Sequence, residues 1–404
     1  MNDLEQKYID LLLKRCLDIN KSKSLLVYYD KINKNFIDKL IITAKSMGFN
    51  DIYTDEDDIF LLHDKLEKLS LDEMTNDPFF NKNIWNEYAL KGANFLMFDT
   101  EFPGVMDGIP SEKIAFAGKL NRDTRKIFRD REMKYEMPWC IPALPNEIWA
   151  KYLLPNSRTP YDDLFNIICK MCMVDTEDPI VSWNTFISDS KSQINWLNSL
   201  KIKTLHYLNS KGTDLTVSMP NNYKWLGMGD DSKNGIIVNM PSYEIFSSPD
   251  YRKTNGIVYN SKPLSYNGGI IDDFYIVFNQ GKVIDYKAKV GNELLESIIN
   301  TDDNSCYLGE VALVNYDSPI SNTGLIFETT LFDENASCHL ALGRGFPNCI
   351  KNGEKMSLDE LLKHGINQSD THVDFMIGTE DLMIEAETDH GKQLIFKNGN
   401  FINH

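Results

Sequence analysis

The feature that most constrains the fold is an alternation of helical and strand-like segments through the first part of the chain. Apolar residues recur at helical spacing over residues 8–17 and again over residues 36–47. A short continuous apolar run at residues 25–29 is typical of a strand buried in a parallel sheet, and residues 94–99 are another buried-strand candidate. The alternation predicts an α/β layer built on a parallel sheet.

The second part of the chain has a different sequence pattern. Residues 188–208 carry a helical pattern, and beyond them glycines become denser and β-branched runs appear. Two pairs of strand-like runs flank turn-forming residues, one pair over residues 274–286 and the other over residues 382–397. Such pairs predict hairpins, and therefore a mostly antiparallel sheet.

The length of the chain indicates two domains. It has 404 residues, whereas a single core rarely grows beyond about 250–300 residues. We place the boundary at the change of sequence pattern, which predicts an α/β N-terminal domain over residues 1–205 and an α+β, largely antiparallel C-terminal domain over residues 206–404. A long charged helix is expected over residues 111–133, and a strand over residues 324–331.

The net charge argues against one class of partner. Lys plus Arg number 42 and Asp plus Glu number 59, so the formal charge is −17. This balance repels phosphate backbones and anionic bilayers. The basic cluster over residues 122–131 is interleaved with acids, a pattern typical of a solvated helix face. We therefore expect no nucleic-acid partner.

The cysteines and the N-terminal residues indicate the cellular compartment of the protein. Seven cysteines form an odd and irregular set, and the start Met1-Asn2-Asp3 lacks the basic and apolar stretches of a signal peptide. No run of about 18 apolar residues is present in the sequence, so we expect no membrane partner. The expected location is the reducing cytoplasm.

The sharpest local signal for chemistry is His372-Val373-Asp374. Residues two apart on a strand point to the same face, so the imidazole and the carboxylate project side by side, about 7 Å apart at the backbone. Both are metal-ligand types and would reach one ion or two adjacent ions. For this motif alone, a solvent-facing pair on an ordinary strand remains an alternative.

A second histidine and three glutamates lie in further candidate settings. Glu334 and His339 have a spacing that fits neither one strand face nor one helix face, so a turn or short helix must bring both inward. Glu310 interrupts an apolar run, where a carboxylate must face water, pair with a cation or bind metal. Glu244 lies between aromatic residues. Taken singly, a turn-rich loop or an edge-strand acid explains each of them.

Together these side chains match the ligand set of a hydrolytic dinuclear site. Such sites hold two divalent ions about 3.5–4 Å apart, bridged by carboxylate and water. The ions acidify the bridging water and polarise the substrate carbonyl. Imidazole ligands favour zinc- or cobalt-like ions over magnesium.

The blocks around the candidate ligands occur in a specific order from residue 220 to near the C-terminus. They are Asn239-Met240-Pro241-Ser242-Tyr243-Glu244-Ile245-Phe246, Ser248-Pro249-Asp250, Asn255-Gly256, Leu308-Gly309-Glu310, Asp333-Glu334-Asn335-Ala336, His339-Leu340-Ala341-Leu342-Gly343 and His372-Val373-Asp374. In order and spacing they resemble the thermophilic-type metallo-aminopeptidases. The first half agrees more loosely, chiefly around Trp183.

The resemblance implies a function and a site. The implied metal ligands are Glu244, Glu310, Glu334, His339, His372 and Asp374. Glu310 would be the catalytic residue, a bridging ligand beside the nucleophilic water. The family implies two divalent ions (cobalt, zinc or magnesium), peptide substrates with a free N-terminus, a homodimer, and a C-terminal domain that carries the metal site. The expected reaction is release of N-terminal amino acids by metal-activated water.

One position departs from the family pattern. The family usually has a tyrosine seven residues after the first histidine ligand, and Phe346 stands there in this chain. A phenol that could donate a hydrogen bond to the tetrahedral oxyanion is therefore absent. Loss of one such donor typically costs about 10²–10³ in rate. We expect an active enzyme with a reduced rate or altered preference, and Arg344 is a candidate substitute donor.

Two other functions fit parts of the sequence. A mononuclear non-haem iron oxygenase would use His372 and Asp374 with a distal histidine, either His390 or the C-terminal His404, but it leaves the three glutamates unexplained. A non-catalytic α/β binding protein would carry these acids as surface charges. It would keep its ligand affinity after chelation, whereas a metallopeptidase would lose turnover.

Overall fold

The fold is that of a computed structural model, which describes residues 3–228 and 235–402. The chain packs as two compact units. Unit 1 comprises Met1–Thr185 and Ser232–Pro241, and unit 2 comprises Phe186–Asp231 and Ser242–His404. The domain boundary that we place between residues 205 and 206 stays a prediction. It falls inside a strand of unit 2.

The helices and strands are numbered along the chain. The helices are α1 Asp3–Arg15, α2 Lys34–Met47, α3 Ile59–Lys68, α4 Leu71–Asn76, α5 Ile84–Leu90, α6 Ser111–Thr124, α7 Lys126–Glu132, α8 Glu147–Leu153, α9 Pro160–Met171, α10 Pro179–Ser199, α11 Asn292–Ile299, α12 Thr330–Asp333 and α13 Leu358–Lys363. The strands are β1 Ser24–Asp30, β2 Asp51–Asp57, β3 Asn94–Met97, β4 Trp139–Pro142, β5 Thr204–Leu208, β6 Asp214–Ser218, β7 Leu226–Gly227, β8 Asn239–Met240, β9 Ile245–Ser247, β10 Thr254–Tyr259, β11 Leu264–Tyr266, β12 Gly269–Asn279, β13 Lys282–Val290, β14 Leu308–Leu313, β15 His339–Gly343, β16 His372–Met376, β17 Met383–Thr388, β18 Gly391–Lys397 and β19 Asn400–Phe401.

Unit 1 is built on a parallel sheet, as the alternation of segments predicts. The strand order is β2-β1-β3-β4-β8, and each neighbouring pair is parallel. Leu25, Leu26 and Val27 of β1 are fully buried, which is why this strand reads as a continuous apolar run. The predicted α/β architecture of the first part is confirmed.

Unit 2 contains two antiparallel sheets. The larger sheet has the order β11-β12-β10-β6-β5-β17-β18-β19, with β13 paired to β12, and the smaller sheet has the order β16-β15-β14-β9-β7. Both predicted hairpins are present, as β12–β13 and β17–β18. The first turns at Gln280 and Gly281, whose φ values of 49° and 84° match the tight turns that join twisted strands.

Two helices differ from the patterns that predict them. The helix expected over residues 111–133 is interrupted at Arg125, where α6 ends and α7 begins. The arginine side chain packs inward there instead of continuing a solvated face. The helix expected over residues 188–208 begins earlier and ends at Ser199, and residues 204–208 form β5 because β6 and β17 pair with both of its edges.

The strand expected over residues 324–331 is also wrong. Residues 324–329 form a loop, and residues 330–331 begin α12. The backbone of this loop is satisfied partly by a side chain, since the N–H of Phe327 donates to Oδ1 of Asp333 over 2.9 Å.

Within residues 3–228 and 235–402, every helix is too short or too polar to cross a lipid bilayer.

Candidate metal centre

Glu310 of β14 and Asp374 of β16 flank the same residue of β15, the strand between them in the smaller sheet. Both pair with Ala341 of β15, so the three side chains form one row on one face. His339 lies two residues before Ala341 on β15, and His372 lies two residues before Asp374 on β16, so the period of two puts both imidazoles on that face as well. The pairing register therefore brings four of the predicted ligands together.

Small residues separate these side chains on the shared face. Ala312 pairs with His339, and Gly343 pairs with His372. With Ala341 between Glu310 and Asp374, three of the positions beside the candidate ligands carry at most a methyl group, whereas Met376 of β16 pairs with His339. This leaves room above the sheet that larger side chains would fill.

The two remaining candidates enter from outside the strands. Glu244 immediately precedes β9, which pairs with β14. Glu334 begins a short 3₁₀ turn, Glu334–Ala336, that follows α12 and ends shortly before His339 at the start of β15. This turn is the local structure that the spacing of Glu334 and His339 requires.

All six predicted ligands lie in one cluster, which we call the six-residue cluster. Its side chains form three overlapping groups, and the potential ligand atoms of each group lie within 4.8 Å of one another. The groups are Glu244, Glu310 and His339; Glu310, His372 and Asp374; and Glu334, His339 and Asp374. Residues from Glu244 to Asp374 thus converge in space, and their role as metal ligands stays a prediction.

The cluster is largely buried and rich in charge. Nε2 of His339 lies 3.2 Å from Oε2 of Glu244, and Nε2 of His372 lies 3.1 Å from Oε2 of Glu310 and 3.4 Å from Oδ2 of Asp374. Exposed fractions are 4 % for Glu310, 8 % for Asp374 and 1 % for His339. These acids are therefore not the surface charges that a simple binding protein would carry.

Burial and mutual repulsion shift the acid–base behaviour of the cluster. Burial raises the pKa of Glu310 to about 7, and burial together with the neighbouring carboxylates raises that of Glu334 well above its usual range. Although burial opposes the charged form of His339, the hydrogen bond to Glu244 raises its pKa to about 10. Four carboxylates in one buried cluster are stable only when positive charge lies among them.

Backbone carbonyls orient the two imidazoles. Nδ1 of His339 donates to the carbonyl of Ser337 over 3.2 Å, and Nδ1 of His372 donates to the carbonyl of Arg344 over 2.7 Å. Each Nε2 therefore faces the carboxylates with a free lone pair when the ring is neutral, as in metal-binding histidines. Arg344 therefore contributes its backbone carbonyl to the site. Its side-chain Nε donates to the carbonyl of Ser369 over 2.7 Å. The expectation that the Arg344 guanidinium serves as an oxyanion donor stays a prediction.

Two polar side chains that the sequence interpretation did not assign support the carboxylates. Nδ2 of Asn335 donates to Oε1 of Glu334, and Oγ of Ser242 donates to Oε1 of Glu244, each over 3.3 Å. Both residues lie inside the motifs that carry the family resemblance. That position beside a ligand is the signal that could have identified them.

Phe346 lies beside a candidate ligand, as the resemblance implies for this position. Its ring centroid is 5.0 Å from that of His372 and 5.3 Å from that of Phe246. His390, the distal histidine of the oxygenase alternative, is exposed in the turn between β17 and β18. It is outside the three ligand groups, and His404 lies outside the described residues.

The comparisons with known proteins now bear on this geometry. The profile of the thermophilic metalloprotease family (M29) matches residues 1–401. The chain belongs to this family. Aminopeptidase AmpS of Bacillus subtilis (strain 168) is 33% identical over 409 residues, which cover 99% of this chain and 100% of that protein. The solved structure of wild-type AmpT from Thermus thermophilus covers 99% of both chains, with a TM-score of 0.89 and 26% identity.

The fold alone does not decide the chemistry. The structure of 2,5-dihydroxypyridine dioxygenase from Pseudomonas putida KT2440 matches 100% of this chain and 99% of its own, with a TM-score of 0.52 and 12% identity. That likeness concerns the fold only. The family match and the aminopeptidase relatives decide the class, and the prediction of a metal-dependent aminopeptidase, a hydrolase that acts as an exopeptidase, is confirmed.

Proposed function

We propose that the six-residue cluster holds two divalent metal ions and that the enzyme uses them to release N-terminal amino acids from peptides. The observation that carries this proposal is the convergence of four carboxylates and two imidazoles, in three groups whose ligand atoms lie within 4.8 Å. When the imidazoles are neutral, the four negative charges balance two divalent ions. The donor set therefore suits two ions better than one.

Asp374 supports the fit of the cluster to metal. Its Oδ1 is buried and has no hydrogen-bond partner within the described part of the chain. A buried carboxylate oxygen without a partner is costly. A ligand atom directed at an ion resolves that cost.

Glu310 is the proposed bridging and catalytic residue. It belongs to two of the three groups, one shared with Glu244 and the other with Asp374. When bound, the two ions would lower the pKa of a water between them and polarise the scissile carbonyl. The Glu310 carboxylate would orient the attacking water and accept its proton. The backbone carbonyls of Ser337 and Arg344 keep the imidazoles of His339 and His372 in position by hydrogen bonds.

The proposal also covers the identity of the metal ions, the oligomeric state of the enzyme and its cellular compartment. Cobalt, zinc and magnesium are the candidate ions, and two imidazole ligands favour the first two. We assign a homodimer on the family resemblance. All seven cysteines, which lie within the described residues, are free and buried, and this supports a reducing compartment such as the cytoplasm.

The test compares matched peptides and counts the metal. The chelated enzyme, reloaded with cobalt, zinc or magnesium, is assayed for amino acids released from unblocked peptides and from the same peptides with an acetylated N-terminus. We expect metal-dependent release from the unblocked peptides only, and two ions per chain by elemental analysis. Equal cleavage of both peptides would contradict the exopeptidase assignment, and one ion per chain in the fully active enzyme would contradict the dinuclear site.

A further inference from the structure

Unit 1 contains a cavity of about 200 Å³ at the carboxyl ends of its parallel strands. Tyr28 near the end of β1 and Asp57 at the end of β2 line it. A second cavity of about 360 Å³ shares Tyr28 and Arg125 with the first and reaches Met97 at the end of β3. Since β2 and β3 lie on opposite sides of β1, this is the point where the strand order reverses. Open parallel sheets bind ligands at that point.

Arg125 lines both cavities and has an unusual environment. Its guanidinium carbon lies 3.7 Å from the ring centroid of Trp85, and its NH2 lies 3.6 Å from the carboxylate of Asp55. Its Nε is buried and lacks a hydrogen-bond partner within residues 3–228 and 235–402. The solvated face predicted for the basic cluster is therefore wrong at this residue, whose side chain lies against Trp85 and Asp55.

The charged lining of the two cavities is mainly cationic, although the chain as a whole carries −17. The cations in the lining are Lys82, Arg122, Arg125 and Arg129, and the acids are Asp57 and Glu132. Asp57 accepts a hydrogen bond from the Tyr28 hydroxyl over 2.7 Å and lies 3.7 Å from Nζ of Lys82, which also pairs with Asp55 at 3.0 Å. Burial raises the pKa of Glu132 to about 7, which weakens its negative charge at neutral pH.

Most of the remaining lining of the smaller cavity is apolar. Leu62, Leu66, Phe79, Met106 and Ile114 contribute to it. A volume of about 200 Å³ is below the roughly 300–1,000 Å³ of pockets for drug-sized ligands, so the occupant is small. A small pocket with a cationic side and an apolar side selects an amphipathic anion.

We propose that this cavity binds a small organic carboxylate with an apolar tail. The carboxylate would lie against Arg125, whose planar guanidinium suits that group, and the tail would lie against the wall that includes Leu62 and Phe79. The six-residue cluster belongs to unit 2, so this binding site is independent of the proposed peptidase function.

Gly118 makes the proposal testable without damaging the fold. It lies within α6 and lines both cavities, and a Cβ there would meet only Nη1 of Arg122, at 3.4 Å. Replacing a helical glycine with leucine or alanine raises helix propensity. Gly118→Leu therefore fills the cavity with no expected loss of stability, and Gly118→Ala is its matched control.

The experiment is isothermal titration calorimetry on the metal-loaded full chain. The probes are 4-methylpentanoate and its uncharged counterpart 4-methylpentanamide. We expect the acid to bind the wild type and Gly118→Ala alike, the amide to bind at least about tenfold more weakly, and Gly118→Leu to bind neither probe. Circular dichroism and thermal melting confirm that each variant is folded.

Three outcomes would overturn the proposal. The wild type does not bind the acid; the amide binds as tightly as the acid; or the acid binds Gly118→Leu as tightly as the wild type. The last result would place the carboxylate elsewhere, for example on the metal ions, which this substitution leaves unchanged. None of these outcomes bears on peptide cleavage, so the two proposals fail separately.

Discussion

The side-chain amide of Asn335 donates a hydrogen bond to Oε1 of Glu334 over 3.3 Å. Its carbonyl oxygen accepts the backbone N–H of Tyr243 over 2.8 Å, and the side chain is fully buried. One amide therefore ties the turn that carries Glu334 to the segment that carries Glu244. Partners of this kind orient metal ligands that come from distant parts of a chain.

Replacing Asn335 with alanine should weaken metal binding roughly 10–100-fold, because Glu334 loses its orienting partner. Affinity is measured by competition with a chelator. Asn260→Ala is the matched control, since Asn260 is also fully buried and bonded through both amide atoms, to Phe274 and Asp272, outside the cluster. Both variants should be less stable than the wild type. Equal losses of metal affinity in the two would remove Asn335 from this role.

Glu310→Gln should lower kcat by roughly 10²–10⁴-fold, the range for loss of a positioned proton acceptor. The amide keeps the shape of the side chain but cannot take the proton of the attacking water. Asp250→Asn, at a buried acid paired with Arg252 and Lys253, is the control and should retain its rate. A rate in Glu310→Gln equal to that of the wild type would exclude Glu310 from the mechanism.

Phe346→Tyr should raise kcat by up to about 10²–10³-fold, because it returns a phenol to a position beside His372. The effect belongs in kcat rather than KM, since the hydrogen bond forms to the oxyanion. Phe246→Tyr adds a hydroxyl to the neighbouring ring and should leave the rate near that of the wild type. An unchanged kcat in Phe346→Tyr would mean that this donor is dispensable here.

The raised pKa of the Glu132 carboxyl predicts that the stability of unit 1 depends on pH. Burial raises its pKa from 4.5 to about 7 in the folded chain, so the folded state holds a proton that the unfolded state releases near pH 4.5. Its contribution to stability is therefore complete below about pH 4.5 and is lost as the pH rises through 7. Urea unfolding at pH 5 and pH 8 should show a larger drop for the wild type than for Glu132→Gln. Identical drops would place the pH dependence at other groups.

Local patterns were sufficient for several elements of the fold. The buried run in β1 and the turn at Gln280 and Gly281 follow from side-chain periodicity and from backbone preferences within a few residues. The same holds for His372 and Asp374, which share a face on any strand that contains them. The strand predicted before α12 is wrong because the N–H of Phe327 in this loop bonds to the side chain of Asp333 rather than to a neighbouring strand.

The sequence by itself determined which residue types are available as ligands and which of them are close along the chain. Only the tertiary structure decided that Glu310 and Asp374 meet across Ala341, because that depends on the register of three strands separated in sequence, and a slip of one residue would turn these carboxylates to the other face. The inward turn of Arg125 also depends on partners distant along the chain, Trp85 and Asp55. Periodicity describes one segment at a time, whereas a buried cluster of charges is stable only when several segments place their compensating groups together.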